Sequence, residues 1–89
     1  MKDKIEIKDK INYIYIVECN DGTLYTGWTT DIAKRIKNHN CGKGAKYTRI
    51  RCPVILKHIE KFDNKKSALK REREIKKLSR IQKLKLISI

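Results

Sequence analysis

Acidic side chains are scarce in this chain: 10 aspartates and glutamates stand against 23 lysines and arginines, a formal net charge of +13. So large a surplus repels itself unless a polyanion is at hand, and nucleic acid is the usual polyanion. Long apolar runs are missing as well. No stretch approaches the ~20 residues that span a bilayer, so no membrane helix is expected. The opening residues, MKDKIEIKDK, hold no apolar signal segment, and the expected location is the cytoplasm. Cysteine is sparse and odd in number. The spacing of Cys19, Cys41 and Cys52 fits neither a disulfide framework nor a zinc knuckle, which leaves free thiols. There is no repeat and no low-complexity linker, and 89 residues leave room for one small core.

What is present sorts into short elements. Residues 1–10 alternate charge with isoleucine and form an N-terminal extension, either a frayed arm or an added edge strand. A single domain is expected over 11–87. From Ile11 to Cys19 the run is β-branched and aromatic, as in a strand. Asn20-Asp21-Gly22 is a turn, and Leu24 to Trp28 is the returning strand. Thr29, Thr30 and Asp31 offer capping oxygens for a helix over IAKRIKNH. Residues 40–52 read as a loop, and Pro53 opens a third strand, VILKHIEKF. Asp63-Asn64 caps a helix from Lys65 to about Leu78. Ser79 and Gln82 match a capping box that starts a last short helix ending near Leu86. The order is ββαβαα, an α+β chain.

The hairpin turn decides which tyrosines share a face. A two-residue Asp-Gly loop pairs Glu18 with Tyr25 and puts Tyr15 and Tyr25 on opposite faces. A three-residue Asn-Asp-Gly loop, with Gly22 left-handed in a bulge, pairs Val17 with Tyr25 and Tyr15 with Gly27. The second register is preferred. It sets both phenols on one face, beside a gap expected at Gly27. On the first helix Arg35 and His39 lie about 40° apart on the wheel, at the rim of the Ile32–Ile36 stripe. An arginine there can fork onto phosphate, and a histidine can accept a proton near neutral pH. Both can equally be packing residues. On the second helix Glu72 falls among Ala68, Leu69 and Ile75, whereas Glu74 points away. A carboxylate in an apolar stripe needs a cation, either Arg35 or a divalent metal. From Lys65 to Lys85 there are ten cations against two glutamates, more like a phosphate track than a solvated face. Its candidate contacts are Lys70, Arg71 and Lys76. The loop GKGAKYTR adds Lys43, Lys46, Arg49 and a stackable Tyr47.

Taken in order, Tyr13-Ile14-Tyr15, Tyr25-Thr26-Gly27, TTDIAKRIKNHN, GKGAKYTR and ALKREREIKKLSR resemble the GIY-YIG nuclease superfamily, and most closely its small stand-alone bacterial proteins. The likeness runs from about residue 12 to 85. It implies a three-stranded antiparallel sheet flanked by helices and a metal-dependent endonuclease that hydrolyses phosphodiester bonds, with DNA the expected substrate and repair or recombination the setting. By position, the resemblance makes Tyr15, Tyr25, Arg35, His39 and Glu72 the catalytic set. Gly27 is then structural, Arg35 grips the scissile phosphate, and Glu72 holds one Mg²⁺ or Mn²⁺. The chain departs from the pattern in two ways. Tyr13 stands where the signature begins with glycine, with the motif spacing one residue short, and Trp28 stands where some repair nucleases carry lysine. If that lysine assists proton transfer in those relatives, His39 is the candidate to do so here. A non-catalytic basic nucleic-acid-binding module and a partner-dependent nuclease subunit are the alternatives. A monomer is compatible with the sequence.

Overall fold

The computed structural model describes residues 11–88. Three strands, β1 (Asn12–Glu18), β2 (Leu24–Thr29) and β3 (Ile55–Phe62), form one antiparallel sheet in the order β2-β1-β3. Three helices complete the chain: α1 (Ile32–Asn40), α2 (Lys65–Lys76) and α3 (Arg80–Ile87). The element order is the expected ββαβαα, with boundaries within two residues of those read from the sequence. The extension at 1–10, arm or edge strand, lies outside the described residues.

β1 is the central strand, which explains its nearly unbroken apolar and aromatic run: both of its faces are covered. On one face Tyr15, Val17, Cys19 and Val54 form a buried cluster with Ile32 and Ile36 of α1 packed against it. On the other, Ile14 and Ile16 meet Ala68 and Ile75 of α2, with Leu78 and residues of α3 closing the edge. Caps fix where the helices begin. Asp31 accepts from the Lys34 amide at 3.1 Å and Asn64 from the Ser67 amide at 2.8 Å. Ser79 and Gln82 exchange both bonds of a capping box.

The turn between β1 and β2 takes the bulged form. The Cys19 amide donates to Thr23 carbonyl at 2.8 Å, the Gly22 amide donates to Cys19 carbonyl at 2.9 Å, and Gly22 has φ +84°. The pairs are therefore Val17 with Tyr25 and Tyr15 with Gly27. Asp21 helps hold the loop by accepting from both the amide and the hydroxyl of Thr23. Tyr15 and Tyr25 consequently share the α1 face of the sheet, and Trp28 occupies the α2 face. There its indole donates to Asn12 and the Lys65 ammonium lies 4.6 Å over its ring.

Candidate active site

Four side chains from three parts of the chain meet on the α1 face. Tyr15 comes from the central strand, Arg35 and His39 from successive turns of α1, and Thr48 from the loop before β3. The Tyr15 hydroxyl lies 2.9 Å from His39 Nε2, and Arg35 Nε donates to that hydroxyl at 3.1 Å. His39 Nδ1 lies 2.6 Å from the Thr48 hydroxyl, which itself donates to the Ala45 carbonyl at 3.0 Å. These contacts have only one consistent direction. Thr48 spends its proton on Ala45, so Nδ1 of His39 must carry a hydrogen and donate it. Nε2 of the neutral ring is then an acceptor, and Tyr15 gives it the phenolic proton while accepting from Arg35.

Burial sets the ionisation of this chain. Tyr15, His39 and Thr48 are fully buried. Removal from water pushes the Tyr15 phenol above its ordinary value, against the hydrogen bond and positive charge of Arg35; the negative charge of Glu72 lies close enough to add to the rise. His39 is pushed down, first by burial and then by the Arg35 cation, so the neutral tautomer is the resting form at neutral pH. Arg35 is pushed up chiefly by its bond to Tyr15.

The gap expected beside Gly27 does not exist as free space, because the Tyr15 ring fills it. A Cβ at Gly27 would overlap the phenol oxygen and stand 2.6 Å from Cζ. Gly44 has the same function toward the histidine: a Cβ there would strike Nδ1 and lie 2.8 Å from the His39 Cα. These glycines let the sheet and the loop close directly onto the two rings. Gly44 and Thr48 were not singled out in the sequence. The only signal for them is their place inside GKGAKYTR, which reads as a generic basic loop.

Tyr25 is the half-exposed member of the pair. Its ring meets the edge of His39 at 5.7 Å and stacks on Tyr47 at 5.9 Å and 15°. Tyr47 in turn carries the Arg51 guanidinium 4.0 Å over its ring, and Arg51 is anchored to Asp21 in the hairpin loop. Glu72 sits between Ala68 and Ile75 on α2, its side chain 17% exposed against 52% for Glu74. Its ion pair is with Lys76 at 3.1 Å, one helical turn on, in place of the Arg35 pairing considered from sequence. Lys43, Lys46, Arg49, Lys70 and Lys76 are exposed. Arg71 is committed to Glu60 through two bonds of 2.8 and 3.0 Å, and to Glu74 at 3.3 Å.

Among the described residues no three His, Cys, Asp or Glu side chains gather as a ready-made metal cage. Zinc, which wants about four N or S ligands, does not suit this donor set. A Mg²⁺-like ion does, since it commonly takes one or two carboxylates and completes its shell with water and substrate phosphate. Glu72 can supply that carboxylate if Lys76 moves aside.

Comparison with known proteins finds relatives over nearly the whole of the described chain. The model of the GIY-YIG catalytic domain matches residues 11–85. A UPF0213 protein of Staphylococcus saprophyticus is 65% identical over 77 residues, covering 86% of this chain and 94% of the relative. Another, from Halobacterium salinarum, is 56% identical over 73 residues, covering 82% and 95%. Two solution structures share the fold. A UPF0213 protein of Bacillus halodurans has 51% identity, coverage of 88% and 83%, and a TM-score of 0.58. A protein of E. faecalis has 44% identity, coverage of 89% and 84%, and a TM-score of 0.62.

Proposed function

The chain belongs to the GIY-YIG family, and from that premise we propose that it is a divalent-metal-dependent endonuclease acting on nucleic acid, with DNA as the expected substrate. The observation that carries the proposal is the directed hydrogen-bond chain from Arg35 through Tyr15 and His39 to Thr48. A core that only had to pack would not need four polar side chains, Arg35 among them, satisfied in one sense beside a half-exposed phenol.

The roles follow from exposure. Tyr25 reaches solvent, so it is placed to orient the attacking water and, once its own proton has passed to bulk water, to take the water's proton as the phenolate. Tyr15 is fully buried and works by bracing Arg35 and fixing the His39 ring. Arg35 spends Nε on Tyr15, leaving its terminal nitrogens to fork onto the phosphate and to stabilise the charge that develops there. Glu72 holds Mg²⁺ or Mn²⁺, which when bound polarises the phosphorus centre and acidifies water. His39, neutral and held by Thr48, keeps the Tyr15 proton in place and is the nearest base to receive it. Lys43, Lys46, Tyr47, Arg49, Lys70 and Lys76 guide the polyanion by charge and stacking. Arg71, tied to Glu60 and Glu74, contributes through the field of that face more than by direct contact. Repair or recombination is the setting in which such an activity would serve, and the cytoplasm is the place.

The test is a panel of labelled linear and branched DNAs with and without Mn²⁺. Scission should require the metal and vanish in Glu72→Ala, while binding to the uncut DNA persists. Full cleavage by that variant would refute the site. Tyr25→Phe should lose about 10²-fold or more, the ordinary worth of a positioned proton acceptor.

A further inference from the structure

Four cations of α2 form one ridge. Lys66, Lys70, Arg73 and the capping residue Lys77 are all exposed. At about 100° per residue they fall within about 60° of one another on the wheel. Their mean direction is about 180° from that of Ala68 and Ile75, the buried side of the helix. Glu72, the proposed metal ligand, lies about 100–160° from each of them around the same helix. Lys70, named above among the cations that guide the substrate, therefore points away from the cleavage site with the other three.

Exposed lysines often do no more than keep a surface soluble. This ridge carries costs that such a role does not need. Its successive members stand at i,i+4, i,i+3 and i,i+4, the spacings at which like charges destabilise a helix. The first turn of α2 holds no acid and opens with Lys65 and Lys66, against the preference set by the helix dipole. Neither glutamate of α2 relieves the ridge: Glu72 pairs with Lys76 and Glu74 with Arg71. Among the described residues no carboxylate pairs with a ridge cation.

Charge of one sign at this density calls for a polyanion. We propose that the outward ridge of α2 is a second docking surface, which takes the backbone of a DNA duplex. One chain then holds two duplex segments at once, one at the candidate active site and the other across α2. The ridge runs about 16 Å at 1.5 Å per residue. A duplex offers one phosphate for each ~1.7 Å of its axis, so every ridge cation has a phosphate within reach. α2 carries no aromatic side chain, and so gives the bases of a single strand nothing to stack on. None of the exposed large hydrophobic residues lies on α2. A membrane surface is disfavoured for that reason, since a helix lying on one buries an apolar face. Contacts of this kind go to phosphate and carry no sequence preference.

The segment at the active site rests on the nuclease reading; the second docking surface does not. The full chain is titrated with a short blunt DNA duplex in EDTA, where no scission runs, and the bound equivalents are counted by sedimentation. The parent should take two. Replacing Lys66, Lys70, Arg73 and Lys77 with Gln should leave one, with Tm equal to the parent's or higher because the like-charge contacts are gone. A control with Lys37, Lys57, Lys61 and Lys85 changed to Gln removes the same charge elsewhere and should still take two. With all four ridge cations engaged, the second equivalent should weaken roughly 10²-fold between 50 and 200 mM salt. One equivalent on the parent, two on the ridge variant, or equal losses in both variants would each overturn the proposal. So would a ridge-dependent preference for an RNA duplex or for phosphatidylserine vesicles. A chain that takes two equivalents but never cuts with Mn²⁺ would remove the nuclease reading and leave this surface standing. Metal-dependent scission by a chain that takes only one would do the reverse.

Discussion

Tyr15→Phe removes one oxygen from the middle of the polar chain, and its cost can be worked out from what that oxygen touches. Two partners lose a bond: Nε2 of His39, which is fully buried, and Nε of Arg35, which is partly exposed. Arg35 can recover water, so the main penalty is the buried imidazole nitrogen. An unsatisfied buried polar group costs about 1–3 kcal/mol. The phenylalanine ring still fills the space over Gly27, so no large cavity adds to it. A loss of about 2 kcal/mol lowers Tm by roughly 8–16 °C in a domain of this size. The measurement is urea and thermal unfolding followed by circular dichroism, with Tyr25→Phe as the comparison. Tyr25 is half-exposed, and its hydroxyl can be replaced by water at a cost under ~0.5 kcal/mol. If Tyr15→Phe were as stable as the parent, or no worse than Tyr25→Phe, the directed chain would not be a stabilising element and its assigned proton positions would fail.

Stability should also depend on pH through His39. Its folded pKa is pushed down by burial, so the unfolded chain takes up a proton first. The contribution is intact above the ordinary histidine value of ~6.5 and is lost as pH falls through the folded value, at no more than ~1.4 kcal/mol per pH unit. His39→Gln should flatten that stretch of a stability–pH curve; an unchanged slope would refute the assignment. Asp21 and Glu60 are also held below their usual values, by Thr23 and Arg71 respectively, and they act in a lower window, below ~4. Gly44→Ala presses a methyl into the His39 backbone and should destabilise by about 1–3 kcal/mol, with loss of the slowly exchanging His39 Nδ1 proton in NMR spectra. Lys76→Met should change stability by less than ~0.5 kcal/mol yet lower the Mn²⁺ concentration needed for half-maximal cleavage. An unaltered metal dependence would show that Lys76 does not compete for Glu72.

Much of this was legible in the residues because local chemistry and tertiary packing agree. Asn20-Asp21-Gly22 offers a left-handed glycine where a bulged loop needs one, and that choice propagates a register that sets Tyr15 beside Tyr25. The wheel positions of Arg35, His39 and Glu72 likewise place them at the margins of buried stripes. What stayed hidden depends on contacts between distant segments. Periodicity cannot reveal that Thr48 caps the His39 ring, since loop 41–52 has no period. Nor does an alternating strand pattern show that Tyr15 fills the hollow above Gly27, because the ring arrives from the neighbouring strand. Glu72 chose Lys76 over Arg35 for a simple reason: a partner four residues along the same helix is always within reach.

The bulged loop of three residues between Cys19 and Thr23 also has a consequence at the level of the gene. Side chains alternate across a strand, so the site depends on the number of loop residues as much as on their identity. Loss of a single codon between 20 and 22 could leave a closed hairpin and every active-site residue still encoded, with Tyr25 delivered to the wrong side of the sheet. A substitution in the same loop keeps that parity. For this chain an in-frame deletion far from any chemistry is a more damaging lesion than most missense changes nearby.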